Sequence, residues 1–382
     1  MNYKSLHSFF CHILKIKFNF KKITKIPIVI YDKYTDIVAD FLKPEKYYVL
    51  ETNFKSINLR ILIKSLIIYN FKWKPIFYLI TFISELSPSY IITFVDNDVK
   101  FWTLKKYIKN IKTVFIQNGT RDDFFDTFSS LNLKDCDSYK VDKMFVFSTV
   151  MGNEYKKYIT GDAYPIGSFR NNSFKIDKKA MNNGITFIST YTPEWKIWAQ
   201  NKERPDYIDQ EKILFSLLCK ISSEKKIKLS VLGRQIDFSS MELEEKFYKE
   251  IDTNFIYIPR KEEKGGSYKR IDESKIVVSV ESTMGYESLA RGKRTAFFCI
   301  RSQDKKNKSY NFGWPHKFED TGPFWTNFYD EIYIRKIIDY LLNIPDKEWM
   351  LETTKHLNKI MLYDTGNQIF KKFIKEIESK TN

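Results

Sequence analysis

The sequence is poor in the residues from which metal sites and disulfide frameworks are built. Its 382 residues include four cysteines and four histidines. The cysteines show no CxxC spacing, and the histidines are so dispersed that a zinc site would have to be assembled from distant segments. A disulfide framework is not expected in so long a chain. We therefore expect no metal, no cofactor and a reducing, cytoplasmic compartment.

Long apolar runs are also missing. A membrane-spanning helix needs ~20 apolar residues, and the nearest candidate, residues 75–96, is interrupted by Glu85 and Pro88. The first 25 residues mix Phe, Leu and Ile with Lys, and they lack the continuous apolar region and cleavage site of a signal peptide. An ordinary first helix is the favoured interpretation, but a basic amphipathic helix could lie on the inner face of the cytoplasmic membrane.

Positive charge, by contrast, is abundant: the formal net charge is +16. A composition rich in lysine, isoleucine and asparagine can reflect an AT-rich genome, so only part of this charge is informative. That part favours a polyanionic partner, which could be a nucleotide donor, an acidic glycan, an anionic lipid surface or nucleic acid. A nucleic-acid-binding protein would concentrate its lysines in one stripe or tail, whereas here they are spread along the chain. Nucleic acid therefore ranks below the other partners.

Short apolar runs alternate with longer amphipathic stretches, and the length predicts two domains. The runs are rich in β-branched and aromatic residues and end in polar residues or glycine, which is typical of buried parallel strands separated by helices. We expect two Rossmann-like, doubly wound α/β domains that face a cleft, where ligands gather at the carboxyl ends of the strands. The predicted parts are a first domain (1–167), a polar linker (168–184), a second domain (185–330) and closing helices (331–382).

The sequence ESTMGYE follows the strand that is predicted at 275–280. Ser282 or Thr283 is placed to cap the next helix, whose free N–H groups and dipole would favour a phosphate. Gly285 would let a ligand approach the first turn, and Glu287, one turn in, could accept hydrogen bonds from ribose hydroxyls. The alternative is a plain helix cap, which occurs in most proteins.

A second group of polar residues follows the strand that is predicted at 113–119. This strand ends in Gln117 and Asn118, and the Asn-Gly turn exposes side chains at the edge of the sheet. Asp122 and Asp123 come next, and two carboxylates at the mouth of a cleft suit acid/base or nucleophilic chemistry. The alternative is an acidic pair that caps the following helix.

Other strand ends supply further candidates. Asp96 and Asp98 form a DxD-like pair that could hold a divalent metal, although capping of the following helix is favoured. In the second domain Ser189, Glu194 and Arg234 each follow a strand. The planar guanidinium of Arg234 suits a phosphate or a carboxylate.

A long loop at 310–327 is unusually aromatic. Loops of this length inside compact domains are often functional, and its aromatic residues argue against disorder. Trp314, Phe324 and Trp325 could stack on sugar or base faces, or they could pack at the domain interface.

Four segments carry a resemblance to a known family: FVDND (94–98), IQNGTR (116–121), IGSFRNN (166–172) and VVSVESTMGYESLARGKRTAFF (277–298). Together they resemble the surface-carbohydrate biosynthesis proteins of bacteria. Those are GT-B glycosyltransferases related in layout to CDP-glycerol glycerophosphotransferases and to retaining β-Kdo transferases. The resemblance implies a first domain that meets the acceptor and a second domain that holds the nucleotide.

The resemblance also implies a site. It implies that Ser282, Thr283 and Glu287 bind the phosphate and ribose of the nucleotide, and that Gln117, Asn118 and Asp122 line the reaction centre. A CMP-Kdo donor would need no metal.

The strand ends complete this site. They add Arg234 to the nucleotide-binding residues and Ser189 to the lining of the reaction centre. Asp122 or Asp123 is the candidate catalytic carboxylate, with Glu194 as the alternative.

The implied activity is transfer of a sugar from a nucleotide-activated donor to a glycan or lipid-linked glycan, during growth of a capsule or a lipopolysaccharide O-antigen. Kdo from CMP-Kdo is the candidate donor. Glycerophosphotransferases carry a His-Gly-Thr turn where this chain has Asn118-Gly119-Thr120. The missing histidine favours sugar transfer over the alternative, a CDP-polyol phosphotransferase. A non-catalytic or polyanion-binding protein is the second alternative.

Overall fold

A computed structural model of the protein describes residues 17–32, 36–122, 128, 138–177, 184–195, 197, 207–260, 265–303 and 308–381. The first 16 residues, and with them most of the predicted amphipathic N-terminus, lie outside this part of the chain. Asp123 and residues 178–183 of the predicted linker lie outside it as well.

The strands of the first half of the chain are β1 (Lys17–Asn19), β2 (Ile28–Tyr31), β3 (Tyr47–Leu50), β4 (Ser56–Asn58), β5 (Tyr90–Thr93), β6 (Lys112–Ile116), β7 (Lys140–Val146) and β8 (Thr160–Pro165). Six of them form a parallel sheet in the order β3-β2-β5-β6-β7-β8, while β1 pairs with β4 in a separate ribbon. Val29, Ile91 and Val114 in the middle of the sheet are inaccessible to solvent. This burial is expected for a parallel sheet that is covered on both faces.

Helices cover this sheet, and local sequence sets their ends. The side chain of Asn58 accepts hydrogen bonds from the first turn of the helix that it precedes, and Pro75 starts the next helix, at a position where a missing N–H is tolerated. The helices are α1 (Asp36–Ala39), α2 (Leu59–Ile68), α3 (Pro75–Leu86), α4 (Val99–Trp102), α5 (Thr149–Lys156) and α6 (Phe169–Asn172).

The strands of the second half are β9 (Ile185–Ile188), β10 (Leu229–Leu232), β11 (Ile256–Ile258), β12 (Ile276–Ser279), β13 (Thr295–Phe298) and β14 (Trp325–Thr326). They form a second parallel sheet in the order β11-β10-β9-β12-β13-β14. In both sheets the strand order reverses beside the first central strand, at β2/β5 and at β9/β12. Doubly wound sheets open a crevice for ligands at such a point.

The remaining helices are α7 (Tyr207–Lys225), α8 (Phe238–Lys249), α9 (Gly266–Glu273), α10 (Thr283–Ala290), α11 (Glu331–Asn343), α12 (Asp346–Ile360) and α13 (Gln368–Thr381). Strands and helices alternate through both halves of the chain. The expected pair of doubly wound α/β domains is therefore confirmed.

The end of the chain returns to the first domain. The rings of Phe370 and Phe373 in α13 lie against Phe145 of β7, with centroids 5.3 and 5.2 Å away, and Phe370 also contacts Phe169 of α6 at 4.8 Å. The sequence predicted closing helices near 331–343 and 347–360 but not α13. Its apolar residues are spaced by three and four among many charged ones, which is the pattern of a surface helix with one buried stripe.

The polar segment predicted as a linker is anchored in its described part, residues 168–177. The buried guanidinium of Arg291 forms an ion pair with Asp272 (2.5 Å) and donates to the side chain of Asn171 (3.0 Å). It also donates to two backbone carbonyl oxygens of the segment, at 3.0 and 3.1 Å. A buried charge such as that of Arg291 must be paired and hydrogen-bonded. The polar residues of this segment therefore supply hydrogen bonds to the second domain.

The apolar stretch 75–96 divides into α3 and β5, separated by Ser87 in the left-handed conformation (φ 49°). No helix in the described part of the chain combines the length and the apolar character needed to cross a membrane. Strands β8 and β14 were not predicted, because their sequences contain no run of apolar residues.

Gly285 lets α10 pack closely on the sheet. A Cβ at this position would lie 2.4 Å from Cβ and Oγ of Ser279 in β12 and 3.2 Å from the ring of Phe297 in β13. The glycine therefore serves helix–strand packing. The expectation that it gives a ligand access to the first turn was wrong.

We expect Gly285→Ala to lower the free energy of unfolding by about 1–3 kcal/mol, because the added methyl group overpacks a tight contact. Urea denaturation measures the loss. Ser279→Gly removes the nearest atoms, so the double variant should lose less stability than the sum of the two single variants. Additive losses would show that the two positions do not collide.

Candidate active site

A cleft of about 970 Å³ lies between the two domains, at the carboxyl ends of both sheets. Its walls are formed by residues that follow β2 and β6 in the first domain and β9, β10, β11 and β12 in the second. This is the location expected for a ligand in a pair of doubly wound sheets. The predicted residues that the cleft brings together are Asn118, Asp122, Ser189, Arg234, Ser282, Thr283 and Glu287.

The corner between β12 and α10 faces this cleft. Ser282 is the N-cap of α10, since its Oγ accepts a hydrogen bond from the backbone N–H of Met284 (3.2 Å). Thr283 Oγ1 accepts from the backbone N–H of Thr120 in the first domain (2.9 Å) and lies 3.0 Å from Thr120 Oγ1. The corner therefore combines a capped helix N-terminus with a direct contact between the domains.

Glu287 lies one turn further along α10, at the floor of the cleft, and is only 5% exposed. Ser168 of the first domain donates to its Oε1 (2.5 Å). Burial raises the pKa of Glu287, although hydrogen bonds from Ser168 and Tyr268 act in the opposite direction. Glu287 is thus a buried acceptor shared between the two domains.

Asp96 is the anchor of the turn that follows β6. This fully buried carboxylate accepts hydrogen bonds from the backbone N–H of Asn118 (2.9 Å), from Nε and Nη2 of Arg121 (2.7 and 2.8 Å) and from the hydroxyl of Tyr155. Asp98 instead caps α4, with its side chain accepting from Lys100 N (2.9 Å). The two aspartates therefore have separate structural roles. Within the described residues, no group of three or more His, Cys, Asp or Glu could hold a metal ion.

The predicted residues of this turn differ in their exposure. Gln117 is buried and its amide is used internally: Nε2 donates to the carbonyl oxygen of Gly119, and Oε1 accepts from the N–H of Phe147, both at 2.9 Å. Asn118 is exposed in the cleft, with its Oδ1 accepting from Arg121. Asp122 is half-buried and lines the cleft. Gln117 thus shapes the turn that presents the other two.

Glu244, which the sequence analysis missed, has the corresponding role in the second domain. This fully buried carboxylate of α8 accepts from the N–H groups of Arg234 (2.9 Å) and Gln235 (3.1 Å) and from the hydroxyls of Ser189 and Tyr257. Ser189 is itself 3% exposed. Its hydroxyl therefore supports the loop that carries Arg234 rather than standing open to a ligand.

Glu194 lies outside the cleft. Its side chain is exposed and accepts a hydrogen bond from the hydroxyl of Thr192. It is not one of the residues that form the cleft wall. The lining of the cleft therefore excludes Glu194 and the buried Gln117 and includes the other described candidates.

Three arginines converge on the cleft: Arg170 in α6, Arg234 after β10 and Arg260 after β11. Burial, Arg170 and Arg234 lower the pKa of Arg260, because all three disfavour its charged form. Arg260 Nη1 donates to the carbonyl oxygen of Arg234 (3.3 Å). None of the three forms an ion pair within the described part of the chain, so the cluster is placed to receive an anion.

The sequence analysis named only Arg234 of this cluster. Arg260 follows the apolar run FIYIP (255–259), so applying the strand-end rule to every such run would have found it. Arg170 lies in α6, five residues after β8. The strand-end rule did not find it, because β8 contains no apolar run and was not predicted.

A second buried arginine, Arg301, lies beneath the cleft. Its guanidinium pairs with Glu211 (3.0 Å) and with Glu281, and it lies over the rings of Trp195 and Tyr207. Burial alone would lower the pKa of Arg301, but the two carboxylates raise it. Glu281 is thereby held at the cleft wall beside Ser282.

The aromatic loop has two distinct parts. Phe324 and Trp325 are buried in the core of the second domain, so they pack and do not stack on a ligand. Trp314 lines the cleft and reaches the first domain, with its ring centroid 6.3 Å from that of Phe128. Of the three predicted rings, only Trp314 is available to a substrate.

We expect Asp96→Asn to destabilise the protein by about 3–5 kcal/mol, because it leaves the buried guanidinium of Arg121 without its charge partner. Asp98→Asn is the matched control, since asparagine caps a helix about as well as aspartate and its cost should be close to zero. Thermal or urea unfolding of both variants measures the difference. Equal effects of the two substitutions would contradict the separate roles of these aspartates.

The fold is similar to that of solved structures. One is the wall teichoic acid polymerase TagF, with a TM-score of 0.55 and 10% identity over 94% of this chain and 91% of that chain. Another is Staphylococcus aureus MnaA with UDP, with a TM-score of 0.51 and 10% identity over 93% and 97% of the two chains. These likenesses show the GT-B fold.

TarM is similar at 12% identity over 80% of this chain, with a TM-score of 0.47, and the chain spans 59% of the length of TarM. That likeness is too weak to support an argument. The sequence matches none of the curated proteins with which it was compared.

The family is shown by a separate comparison. Residues 114–378 match the model of a family described as "putative O-antigen biosynthesis protein". The match covers more than half of the chain and includes the turn after β6, the arginine cluster and the corner at α10. The chain therefore belongs to this family of O-antigen biosynthesis proteins.

Proposed function

We propose that the protein is a glycosyltransferase that moves a sugar from a nucleotide-activated donor to a growing O-antigen or related surface glycan. The proposal combines three findings: the family, the GT-B fold, and a cleft between the domains that carries both cations and carboxylates. The second domain holds the donor and the first domain meets the acceptor.

The observation that carries the proposal is the cluster of Arg170, Arg234 and Arg260. Two of its guanidinium groups, Arg170 and Arg234, are exposed in the cleft, and Arg260 is half-buried there. None has an ion pair in the described part of the chain, and planar guanidinium groups bind phosphate oxygens in pairs. Glu287 raises the pKa of Arg260, but burial and the other two arginines lower it overall. A nucleotide phosphate satisfies this arrangement.

The cluster also suits the chemistry of transfer. When the bond between sugar and phosphate breaks, negative charge develops on the departing phosphate, and fixed cations aimed at that position stabilise the transition state. The N-terminus of α10 adds its partial positive charge on the same side of the cleft. The two domains hold these groups in place before the reaction, so little reorganisation is needed.

Asp122 is our candidate for the catalytic carboxylate. The proposal is supported by its position on the first-domain wall of the cleft, whose lining also includes Glu281 and Tyr310 of the second domain. In an inverting reaction Asp122 takes the proton of the acceptor hydroxyl as its oxygen attacks the anomeric carbon and the phosphate departs. In a retaining reaction Asp122 attacks that carbon itself as the phosphate departs, and the acceptor oxygen then displaces Asp122 as its hydroxyl proton is lost.

For the donor we propose CMP-Kdo, with a CDP-polyol as the alternative. The alternative is favoured by the similarity to TagF, one of whose structures was soaked with CDPG. Asn118 argues against it, because this residue replaces the histidine of the glycerophosphotransferase turn and its side chain is held by Arg121. Position 118 therefore supplies no ionisable base.

For the acceptor we propose a glycan, free or lipid-linked, that stacks on Trp314. This ring spans the cleft between the domains, and the apolar faces of sugars pack on aromatic rings. A lipid-linked acceptor would also explain a peripheral contact with the anionic membrane surface.

Nucleotide binding should depend on the cluster. We expect Arg260→Ala to weaken binding of CMP, CDP or UDP about 10- to 100-fold, because a hydrogen bond to a charged group contributes about 1.5–3 kcal/mol. Isothermal calorimetry measures the affinity. Arg335→Ala is the matched control, since Arg335 pairs with Glu224 and Glu331 away from the cleft. If the wild-type protein binds none of these nucleotides, the proposed function fails.

Asp122→Asn should separate binding from chemistry. We expect nucleotide affinity to stay within about twofold while turnover falls about 100- to 10,000-fold, as is typical when an acid/base group is lost. Turnover is measured with a panel of CMP-, CDP-, UDP- and GDP-activated donors. Asp330→Asn, at the N-cap of α11, is the control. Normal turnover of the Asp122 variant would show that another residue is the catalytic group. If the folded wild-type protein transfers from none of these donors, a non-catalytic protein is favoured.

A further inference from the structure

One surface of the first domain exposes many large apolar side chains. They belong to β1 and to the hairpin of α2 and α3, and we call them the apolar surface. Its members are Phe18, Phe20, Ile63, Ile67, Ile68, Phe71 and Trp73. Single exposed apolar residues are ordinary, but a group of seven marks an interaction site.

The fold brings the two parts of this surface together. Strand β1 pairs with β4, which leads directly into α2, with Phe18 opposite Ile57. Asn19 fixes the junction, donating to Ser56 Oγ (2.8 Å) and accepting from Asn58 Nδ2 (3.2 Å). The exposed rings of β1 are therefore held beside the start of α2.

The hairpin presents its side chains in a regular way. Ile63 and Ile67 are one helical turn apart and lie on one face of α2. Asn70 and Phe71 then adopt left-handed backbone conformations (φ 52° and 59°), which are unfavourable for a bulky residue. This strained turn leaves Phe71 77% exposed. Exposure of an aromatic ring to water is unfavourable, so this position indicates a binding partner.

The segments that carry the apolar side chains are basic. Residues 17–26 and 53–74 contain no Asp or Glu. Their basic residues are Lys17, Lys21, Lys22, Lys25, Lys55, Arg60, Lys64, Lys72 and Lys74. The described acid that pairs with this group is Glu85 of α3, which binds Lys64.

We propose that this surface docks the protein on an anionic lipid bilayer. Exposed aromatic and aliphatic side chains surrounded by lysines are the composition of interfacial membrane-binding elements, whose rings enter the boundary between headgroups and acyl chains. Each lysine near an anionic surface contributes about 1 kcal/mol. A second copy of the chain fits poorly, because a two-fold contact through this surface would bring two sets of like charges together.

This inference differs from the amphipathic N-terminus that the sequence suggested. It places the contact on folded elements, β1 and the α2–α3 hairpin. Its purpose rests on the proposed function, because docking brings the cleft to a lipid-linked acceptor. The docking itself is independent of nucleotide chemistry.

Flotation with lipid vesicles tests the proposal on the full-length protein. We expect little binding to neutral phosphatidylcholine vesicles and strong binding when 30% phosphatidylglycerol is included, with a decrease at high salt because the lysine contribution is screened. The double variant Phe71→Ser/Trp73→Ser should bind at least tenfold more weakly. Phe238→Ser is the matched control, since Phe238 is 72% exposed on the second domain.

Three outcomes would overturn the proposal. Equal binding by the wild type and the double variant would show that the surface does not contact lipid. Loss of binding only in Phe9→Ser/Phe10→Ser would assign the contact to the first residues of the chain. A wild-type dimer that dissociates in the double variant, with no vesicle binding, would assign the surface to self-association. Nucleotide affinity, measured on the same samples, reports separately on the proposed function.

Discussion

Burial and the charges of Arg170 and Arg234 disfavour the charged form of Arg260, so the cleft gathers cations at a cost that an anion would offset. The turns that line such a cleft must be fixed by other interactions if its groups are to keep their positions. In each domain a buried carboxylate fixes one of these turns: Asp96 binds the turn after β6, and Glu244 binds the loop that carries Arg234. Each carboxylate is fully buried and accepts several hydrogen bonds, so the strand-end turns are fixed before a ligand arrives.

The two sides of the cleft face each other and are also connected by hydrogen bonds. Thr120 meets Thr283, and Ser168 meets Glu287, so the corner at α10 lines the cleft and is also a contact between the domains. A change in the separation of the domains would therefore alter the geometry of the proposed phosphate site directly.

Much of the architecture could be predicted from the sequence, because buried parallel strands have apolar sequences and are followed by clusters of polar residues. Ser282, Thr283 and Asp122 were found by this rule and do lie in the cleft. Gln117 and Ser189 were found by the same rule, but they are buried and hydrogen-bonded internally. Sequence position does not distinguish a side chain that faces the cleft from one that supports the turn. Arg170, Glu244, Arg301 and helix α13 were missed because their positions follow from tertiary contacts.

The central claim is that the arginine cluster receives the phosphate of the donor. A crystal structure of the protein with CMP or UDP tests it most directly. The account predicts phosphate oxygens within about 2.7–3.2 Å of at least two of the three guanidinium groups, with the base against the second domain. A nucleotide bound elsewhere, with the three arginines untouched, would contradict it.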